Sequence, residues 1–232
     1  RTKLSEILFK GLTPWMSRFP GGLLHVNVAG SAIFAAISGS SAATAATVGK
    51  MSIPELRSRN YPEKMIVGTL AGAGTLGLLI PPSISLIVYG VTVNESIAKL
   101  FMAGVLPGLM LAGLFMGYVA IWSLLSKEST VEELRFSWRE KLKGLTQLLP
   151  VMLLIAGVIG SIYTGIATAT EAAVLGVAGS LLLSVLQRSL SMDSFKESLF
   201  GAVRTSCMIA FILMGSSFLS LAMGFTGLPR AL

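Results

Sequence analysis

The chain has 232 residues, of which 53% are hydrophobic and 12% are charged, whereas soluble domains carry roughly 25% charged residues. Together with several long uncharged segments, this composition excludes an ordinary soluble domain and indicates a membrane protein. The net charge of +7 does not indicate nucleic-acid binding, because the basic residues form short clusters between apolar segments, as in cytoplasmic loops. The single cysteine, Cys207, excludes an intrachain disulfide, and we interpret it as a buried packing residue.

Residues 1–18 have the pattern of an amphipathic helix. Apolar residues recur at helical spacing, with charged residues such as Lys3, Glu6 and Lys10 between them, which predicts a helix lying at the membrane interface. Proline and glycine residues at positions 20–22 then interrupt the chain. Because the sequence begins with Arg and ends soon after an apolar segment, we expect it to be part of a longer protein.

The next segment, residues 19–50, contains no charged residue before Lys50. It is too long for one upright membrane helix of about 20 residues and too short for two such helices with a turn. We therefore predict a re-entrant helical hairpin with arms at about 22–37 and 41–51. Irregular backbone at membrane depth is tolerated only where protein or water satisfies its polar groups, so the small polar residues of the tip are candidate ligands for a solute or an ion. They are Ser38, Gly39, Ser40, Ser41 and Thr44.

A second interruption follows a predicted polar loop at residues 50–64. Residues 65–94 carry no charge, but glycines and the adjacent pair Pro81-Pro82 interrupt them. Neither proline has an N–H group to donate, and Pro82 disfavours the helical conformation of its neighbour, so we predict a broken helix at 64–92. Interrupted membrane helices are the best sequence indication of a transporter binding site. The candidate binding residues here are Gly74, Thr75, Gly77, Pro81 and Pro82.

The remaining sequence predicts further membrane helices and charged segments. The first helix contains two Gly-xxx-Gly pairs, Gly104 with Gly108 and Gly113 with Gly117, which favour close helix contacts but are also common by chance. The predicted elements are a membrane helix at 98–126, a charged loop at 127–143, a helix pair at 144–187, an amphipathic interfacial stretch at 189–204 and a membrane helix at about 203–228.

The positions of the basic residues favour a re-entrant hairpin over a single crossing. Most Lys and Arg residues lie in four segments, and all four fall on one side of the membrane if the hairpin re-enters and the later helices cross singly. The positive-inside rule makes that side cytoplasmic. A single crossing by the hairpin segment would instead put the first basic segment opposite the other three. The four segments are 1–18, 50–64, 127–143 and 188–204.

The sequence lacks the usual signatures of an enzyme. It has one histidine and one cysteine, with no cluster of residues at metal-ligand spacing and no Gly-Lys-Ser/Thr phosphate-binding loop. The tip serines would need a general base to act as nucleophiles, and the only nearby candidate is His25. We interpret His25 as a packing residue and expect neither enzymatic activity nor a cofactor.

What remains is a site built from hydroxyl groups and backbone. Helix C-termini expose carbonyl groups that suit a cation, and helix N-termini expose N–H groups that suit an anion. Because hard cations take oxygen ligands, we expect Na⁺ near the backbone carbonyls of Ser38, Gly39, Gly74 and Thr75. The alternative is that the small residues of both breaks only allow tight helix packing.

These residues resemble a known family, the large membrane (permease, or M) subunit of the tripartite ATP-independent periplasmic (TRAP) transporters. The stretch Ala35–Gly49 resembles the family's first hairpin tip, and Gly74–Ser83 resembles the broken helix that follows it. The stretch Thr164–Ala173 is similar to a third family motif, with Ala169 in place of the usual proline. The order and spacing of these motifs match over essentially the whole sequence.

The resemblance implies an all-α, polytopic membrane protein, an elevator-type secondary transporter whose two inverted repeats each supply a re-entrant helical hairpin and a broken helix. It implies Na⁺-coupled import of an organic anion, such as a C4-dicarboxylate or a sugar acid, into a bacterial or archaeal cell across its inner (plasma) membrane. The implied partners are a periplasmic solute-binding protein and a small membrane subunit, but no nucleic acid. Since only one hairpin and one double-proline break occur, we expect one repeat plus part of the second.

Two other functions are compatible with some of these features. A related hairpin-containing anion carrier would work without a binding protein. A purely structural membrane scaffold would have straight, unbroken spans, and the Pro81-Pro82 pair argues against it.

Overall fold

The computed structural model describes residues 2–126, 136–186 and 189–226 of the chain. All regular structure in these ranges is α-helical, which confirms the predicted all-α class. The helices are α1 (Thr2–Met16), α2 (Leu24–Ser38), α3 (Ser41–Ser58), α4 (Glu63–Gly74), α5 (Leu76–Leu79), α6 (Ile84–Val93), α7 (Ile97–Leu125), α8 (Trp138–Tyr163), α9 (Ala169–Leu186) and α10 (Met192–Thr226).

Several helices have the length and composition of membrane spans. The broken unit α4–α6 and the helices α7, α9 and α10 each contain a long apolar window, and the bent helix α8 adds a fifth if its two parts are counted together. The chain is therefore a multi-pass membrane protein, as its composition predicts. α2 is also apolar, but its 15 residues are fewer than the roughly 20 that a full crossing needs.

α2 lies at the centre of the packed part of the molecule, in contact with α1, α3, α4, α5 and α7. Leu24 is fully buried and packs in a core with Leu56 of α3 and Ile66 of α4. In a lipid environment, close van der Waals contact stabilises such a core. His25 is also buried, and its Nε2 atom lies 2.7 Å from the carbonyl oxygen of Pro20. This position fits the interpretation of His25 as a packing residue.

The second arm of the hairpin is longer than predicted. α3 continues to Ser58 and α4 begins at Glu63, so the polar loop predicted at 50–64 is wrong except at residues 59–62. Pro54 lies inside the helix, yet the buried face continues on both sides of it, at Ser52 and Leu56. Packing of this face therefore outweighs the hydrogen bond that the proline removes.

The start of α8 also differs from the prediction. The helix begins at Trp138, inside the predicted charged loop at 127–143, of which residues 127–135 lie outside the described ranges. The cause is local, because Ser137 and Glu140 form a capping box that satisfies backbone donors at the helix N-terminus.

α10 is one uninterrupted helix of 35 residues, although the sequence suggested an interfacial stretch at 189–204 and then a separate membrane helix. No proline lies between Met192 and Thr226, and glycine alone weakens a helix without ending it. Residues 227 and 228 of the predicted span lie outside the described part. Cys207 is exposed on α10, so its interpretation as a buried packing residue is wrong.

Candidate functional site

The tip of the hairpin is a two-residue break between α2 and α3. Gly39 adopts a left-handed conformation (φ 60°, ψ 14°), and its N–H group donates to the carbonyl oxygen of Ala35 at 2.8 Å. Glycine takes this conformation without steric cost. Ser40 is extended, and α3 begins at the next residue, Ser41. The chain therefore reverses direction within two residues.

Hydroxyl groups within the tip stabilise it by hydrogen bonding. The Thr44 hydroxyl donates to the carbonyl oxygen of Ser40 at 2.7 Å, and its Oγ1 atom lies 2.9 Å from the Oγ atom of Ser38. Thr44 is fully buried, so its hydroxyl stabilises the turn. The Oγ atom of Ser41 is buried without a hydrogen-bond partner. Buried hydroxyls are normally paired, so Ser41 has capacity to bind a further group.

The helix that contains the two prolines is broken twice. α4 and the single turn α5 are separated at Thr75, and irregular backbone at 80–83 separates α5 from α6. The peptide bond between the prolines is cis. Ser83 is fully buried, and its hydroxyl donates to the carbonyl oxygen of Leu78 at 2.8 Å. This bond satisfies one of the acceptors that the end of α5 leaves free.

The two breaks lie against each other through their backbones. The N–H group of Ile84 donates to the carbonyl oxygen of Gly39 at 3.1 Å. A β-carbon at Gly39 would lie 2.6 Å from the carbonyl oxygen of Pro82, and a β-carbon at Gly77 would lie 2.8 Å from the backbone nitrogen of Ser41. A larger residue at either position would have to displace the backbone. We call this contact the tip–break junction, and it comprises residues 39–41, 77 and 82–84.

Most of the predicted site residues lie in the junction or beside it. Gly74 borders it, since a β-carbon there would lie 3.0 Å from the β-carbon of Ala45 in α3. Thr75 is exposed, and its hydroxyl donates back to the carbonyl oxygen of Gly72 at 2.6 Å, so the structure does not bring its side chain to the tip. Pro81 is fully buried. The binding roles of all these residues stay predictions.

α7 packs against the break between α5 and α6. A β-carbon at Gly104 would lie 2.7 Å from the carbonyl oxygen of Leu79, and one at Gly108 would lie 2.9 Å from the side chain of Ile80. The second glycine pair of α7, at positions 113 and 117, has open space around it. The sequence showed both pairs but could not tell which one makes a contact. Ser83 and Ile84 were not among the predicted site residues, although both directly follow the two prolines.

The charge character of the junction comes from its backbone. Its residues are uncharged, and no group of three His, Cys, Asp or Glu residues that could hold a metal occurs in the part of the chain that the structure describes. The end of α2 presents carbonyl groups that carry partial negative charge, and the first turn of α3 presents N–H groups that carry partial positive charge. Such a site suits an ion of either sign that has lost part of its water shell.

Broken helices that meet inside a bundle of apolar spans are typical of membrane transporters. Sequence comparison assigns the chain within that class. The family described as "Tripartite ATP-independent periplasmic transporter, DctM component" matches residues 1–232. The chain belongs to this family, which confirms the resemblance seen in the sequence. Because the family is one of transporters, the expectation that the chain is not an enzyme is confirmed as well.

Curated relatives agree with this assignment. The C4-dicarboxylate TRAP transporter large permease protein DctM of Rhodobacter capsulatus is 32% identical over 95% of this chain and 53% of its own length. The sialic acid TRAP transporter large permease protein SiaM of Vibrio cholerae is 31% identical over 99% of this chain and 53% of its own length. The ectoine/5-hydroxyectoine TRAP transporter large permease protein UehC of Ruegeria pomeroyi is 35% identical over 87% of this chain and 47% of its own length. The chain thus spans about half the length of these relatives.

Proposed function

We propose that the chain is part of the permease of a Na⁺-coupled secondary transporter that imports organic anions such as C4-dicarboxylates or sugar acids. A periplasmic binding protein would deliver the substrate, and a small membrane subunit would complete the assembly. The family description, which names a tripartite transporter, supports these partners. Relatives named for C4-dicarboxylate and sialic acid support a carboxylate substrate. A relative named for ectoine, a zwitterion whose carboxylate is balanced by a cationic ring, means that family membership alone does not select a substrate with a net negative charge.

The observation that carries the proposal is the hydrogen bond from Ile84 to Gly39, which joins the two helix breaks at 3.1 Å. The contact brings a carbonyl-rich helix end next to an amide-rich helix start. Na⁺ would lie on the carbonyl side, near Ser38, Gly39, Gly74 and Thr75. The carboxylate would lie at the amide side, within reach of the Ser41 hydroxyl, which has no partner.

Coupling would follow from electrostatics. The junction is uncharged, so binding the anion alone would leave its charge uncompensated in a medium of low dielectric constant. A Na⁺ ion at the neighbouring carbonyl groups would compensate that charge. Each ion would then raise the affinity for the other by the same factor, because the coupling free energy is reciprocal.

The mode of transport and the orientation are also part of the proposal. The hairpin would re-enter from the cytoplasmic side, with the basic loops cytoplasmic, in a bacterial or archaeal inner membrane. In an elevator mechanism, the junction would move as one body, and the backbone contacts at Gly39 and Gly77 support such joint movement. A second hairpin and a second broken helix would supply the other half of the site.

The test uses the complete permease, with its small subunit, in liposomes. Substrate uptake is measured with an inward Na⁺ gradient, with K⁺ in its place, and with or without the binding protein. We expect uptake only when Na⁺ and the binding protein are both present. Undiminished uptake in K⁺ would overturn the coupling. Undiminished uptake without the binding protein would favour the alternative, a hairpin-containing anion carrier that takes its substrate directly from solution.

A further inference from the structure

A second cluster of functional groups lies away from the tip–break junction, where the C-terminal end of α1 meets the N-terminal end of α8. Lys141 has only 6% of its surface exposed, although it is a lysine in the first turns of a membrane helix. Its Nζ atom lies 5.6 Å from the centre of the Trp15 ring and 5.4 Å from the centre of the Trp138 ring. The ammonium group therefore lies between two indole rings.

The packing of the two helices preforms this arrangement. Gly11 of α1 and Gly144 of α8 allow close approach, since a β-carbon at Gly144 would lie 2.9 Å from the carbonyl oxygen of Gly11. The indole N–H group of Trp15 donates to the carbonyl oxygen of Lys141 at 3.3 Å. These contacts fix one ring and the lysine backbone, and the buried stem leaves the ammonium group little freedom.

The described residues provide no acidic partner for the lysine. In the described part of the chain, no carboxylate forms an ion pair with Lys141, and the neighbouring Glu140 accepts a hydrogen bond from the backbone N–H group of Ser137 instead. The Trp138 ring is 69% exposed, and no described residue accepts a hydrogen bond from its indole nitrogen. Among the described residues, neither the ammonium group of Lys141 nor the indole N–H group of Trp138 therefore has an acceptor, and the ammonium group lies 5.4 Å from the centre of that ring.

We propose that Lys141 and Trp138, positioned by Trp15, bind the phosphodiester group of an anionic phospholipid at the membrane surface. The ammonium group of Lys141 and the indole N–H group of Trp138 can each donate to a phosphate oxygen, and the charged donor makes the stronger of the two hydrogen bonds. Trp and Lys are the residues that anchor membrane proteins at headgroup level. A choline group does not fit in the same way, because the lysine already occupies the position between the rings where a cation would bind.

The surrounding charge favours an anionic lipid over a zwitterionic one. Arg139 and Lys143 lie on either side of Lys141 in the sequence and are both exposed. They add positive potential near the site, which attracts anionic lipids at a membrane surface. Their exposure also makes them suitable controls, because they carry the same charge without the two indole rings.

The experiment titrates the complete permease in detergent with phosphatidylglycerol and counts bound lipids by native mass spectrometry. Lys141→Gln should weaken the first binding event about tenfold, since it removes a charge-assisted hydrogen bond. The matched control Lys143→Gln should change it about twofold or less, because exposed charges contribute little. Trp138→Phe keeps a ring at an exposed position and should weaken binding about threefold through the lost indole donor.

Two further measurements identify the ligand. Phosphatidylcholine of the same acyl chains should bind all variants alike, and excess inorganic phosphate should not displace phosphatidylglycerol. Equal losses in Lys141→Gln and Lys143→Gln would overturn the proposal, because nonspecific charge attraction would then explain the binding. Displacement by free phosphate would overturn the assignment to a lipid. If Lys141→Gln lowers thermal stability, Trp138→Phe provides the test. Unchanged binding of phosphatidylglycerol by that variant would then overturn the proposal.

Discussion

The hairpin–break region, which comprises α2 to α6, and the last helix, α10, have similar residue compositions but differ in burial. α2 combines apolar residues with small polar ones, and eight of its 15 residues are buried, seven of them between Leu24 and Ser31. α10 has a similar mixture, with serines and glycines among apolar residues, but none of its side chains is buried against the described chain. The first region is packed internally, whereas the second presents its surface outward.

The two regions present different kinds of surface. In the hairpin–break region, hydroxyl and backbone groups pair with one another, and glycines occur where backbones touch. On α10, large apolar side chains such as Phe211 and Phe218 are more than 70% exposed. Such a surface requires lipid or another protein segment around it. The residues proposed to form the site all lie in the packed region.

The largest effect should come from Gly39→Ala. An alanine in the left-handed conformation costs roughly 1–2 kcal/mol, and its β-carbon would meet the Pro82 carbonyl oxygen at 2.6 Å. We expect substrate uptake by the complete permease to fall to background while the protein still inserts into the membrane. Gly68→Ala in α4 is the matched control, because a β-carbon there would have open space. Normal uptake by Gly39→Ala would show that the junction is dispensable.

The next effect tests the packed region against α10 directly. Leu24→Ala removes a fully buried side chain and should lower the free energy of unfolding by about 2–5 kcal/mol. Leu219→Ala makes the same change on α10, where the side chain is 59% exposed, and should cost about 0.5 kcal/mol or less. Unfolding in detergent with increasing denaturant measures both. Equal losses would contradict the contrast between the two regions.

A smaller effect is expected inside the hairpin tip. Thr44→Val keeps the shape of the side chain but removes the hydroxyl that pairs with Ser40 and Ser38. The carbonyl oxygen of Ser40 keeps its hydrogen bond from the backbone N–H group of Thr44, so losing the contacts of the hydroxyl should cost about 0.5–1.5 kcal/mol of stability. Thr44→Ser keeps the hydroxyl and should recover most of the loss. An unstable Thr44→Ser beside a stable Thr44→Val would show instead that the methyl contact rather than the hydrogen bond determines stability.

A further pair of variants separates the two glycine pairs of α7. Gly108→Ala should destabilise by about 1–3 kcal/mol, because its β-carbon would crowd Ile80 at 2.9 Å. Gly113→Ala adds the same methyl group in open space and should be neutral or stabilising by up to about 1 kcal/mol. Thermal unfolding of the two variants side by side checks the difference. Equal melting temperatures would argue against close packing of α7 on the break.

Much of the fold was predictable because membrane constraints act locally. Span length, the lack of charge and the two prolines indicated the short hairpin arm and the broken helix directly. The boundaries were less predictable where tertiary packing decides. α3 passes through Pro54 because its buried face continues to Leu56, and a sequence without contacts does not show which faces are buried.

The location of the site was predictable, but the contacts between its two halves were not. The unusual residues of the two breaks stood out one by one, yet the contact between Gly39 and Ile84 joins residues far apart in sequence. Thr44 was expected to act as a ligand but lies buried inside the tip, and Thr75 is exposed away from the junction. The sequence does not show whether a hydroxyl group binds a solute or the backbone of its own chain.

The most direct test of the account is the accessibility of the junction in the presence of Na⁺. A single cysteine replaces Ala42, an exposed residue in the first turn of α3, in the complete permease with Cys207 and any other native cysteines changed to serine. Maleimide labelling is then timed in Na⁺ and in K⁺, with and without the substrate. Glu95→Cys, in the exposed α6–α7 turn, is the control. We predict that Na⁺ with substrate slows labelling at position 42 and not at position 95; equal rates in Na⁺ and K⁺ at position 42 would contradict a Na⁺-coupled site at the tip–break junction.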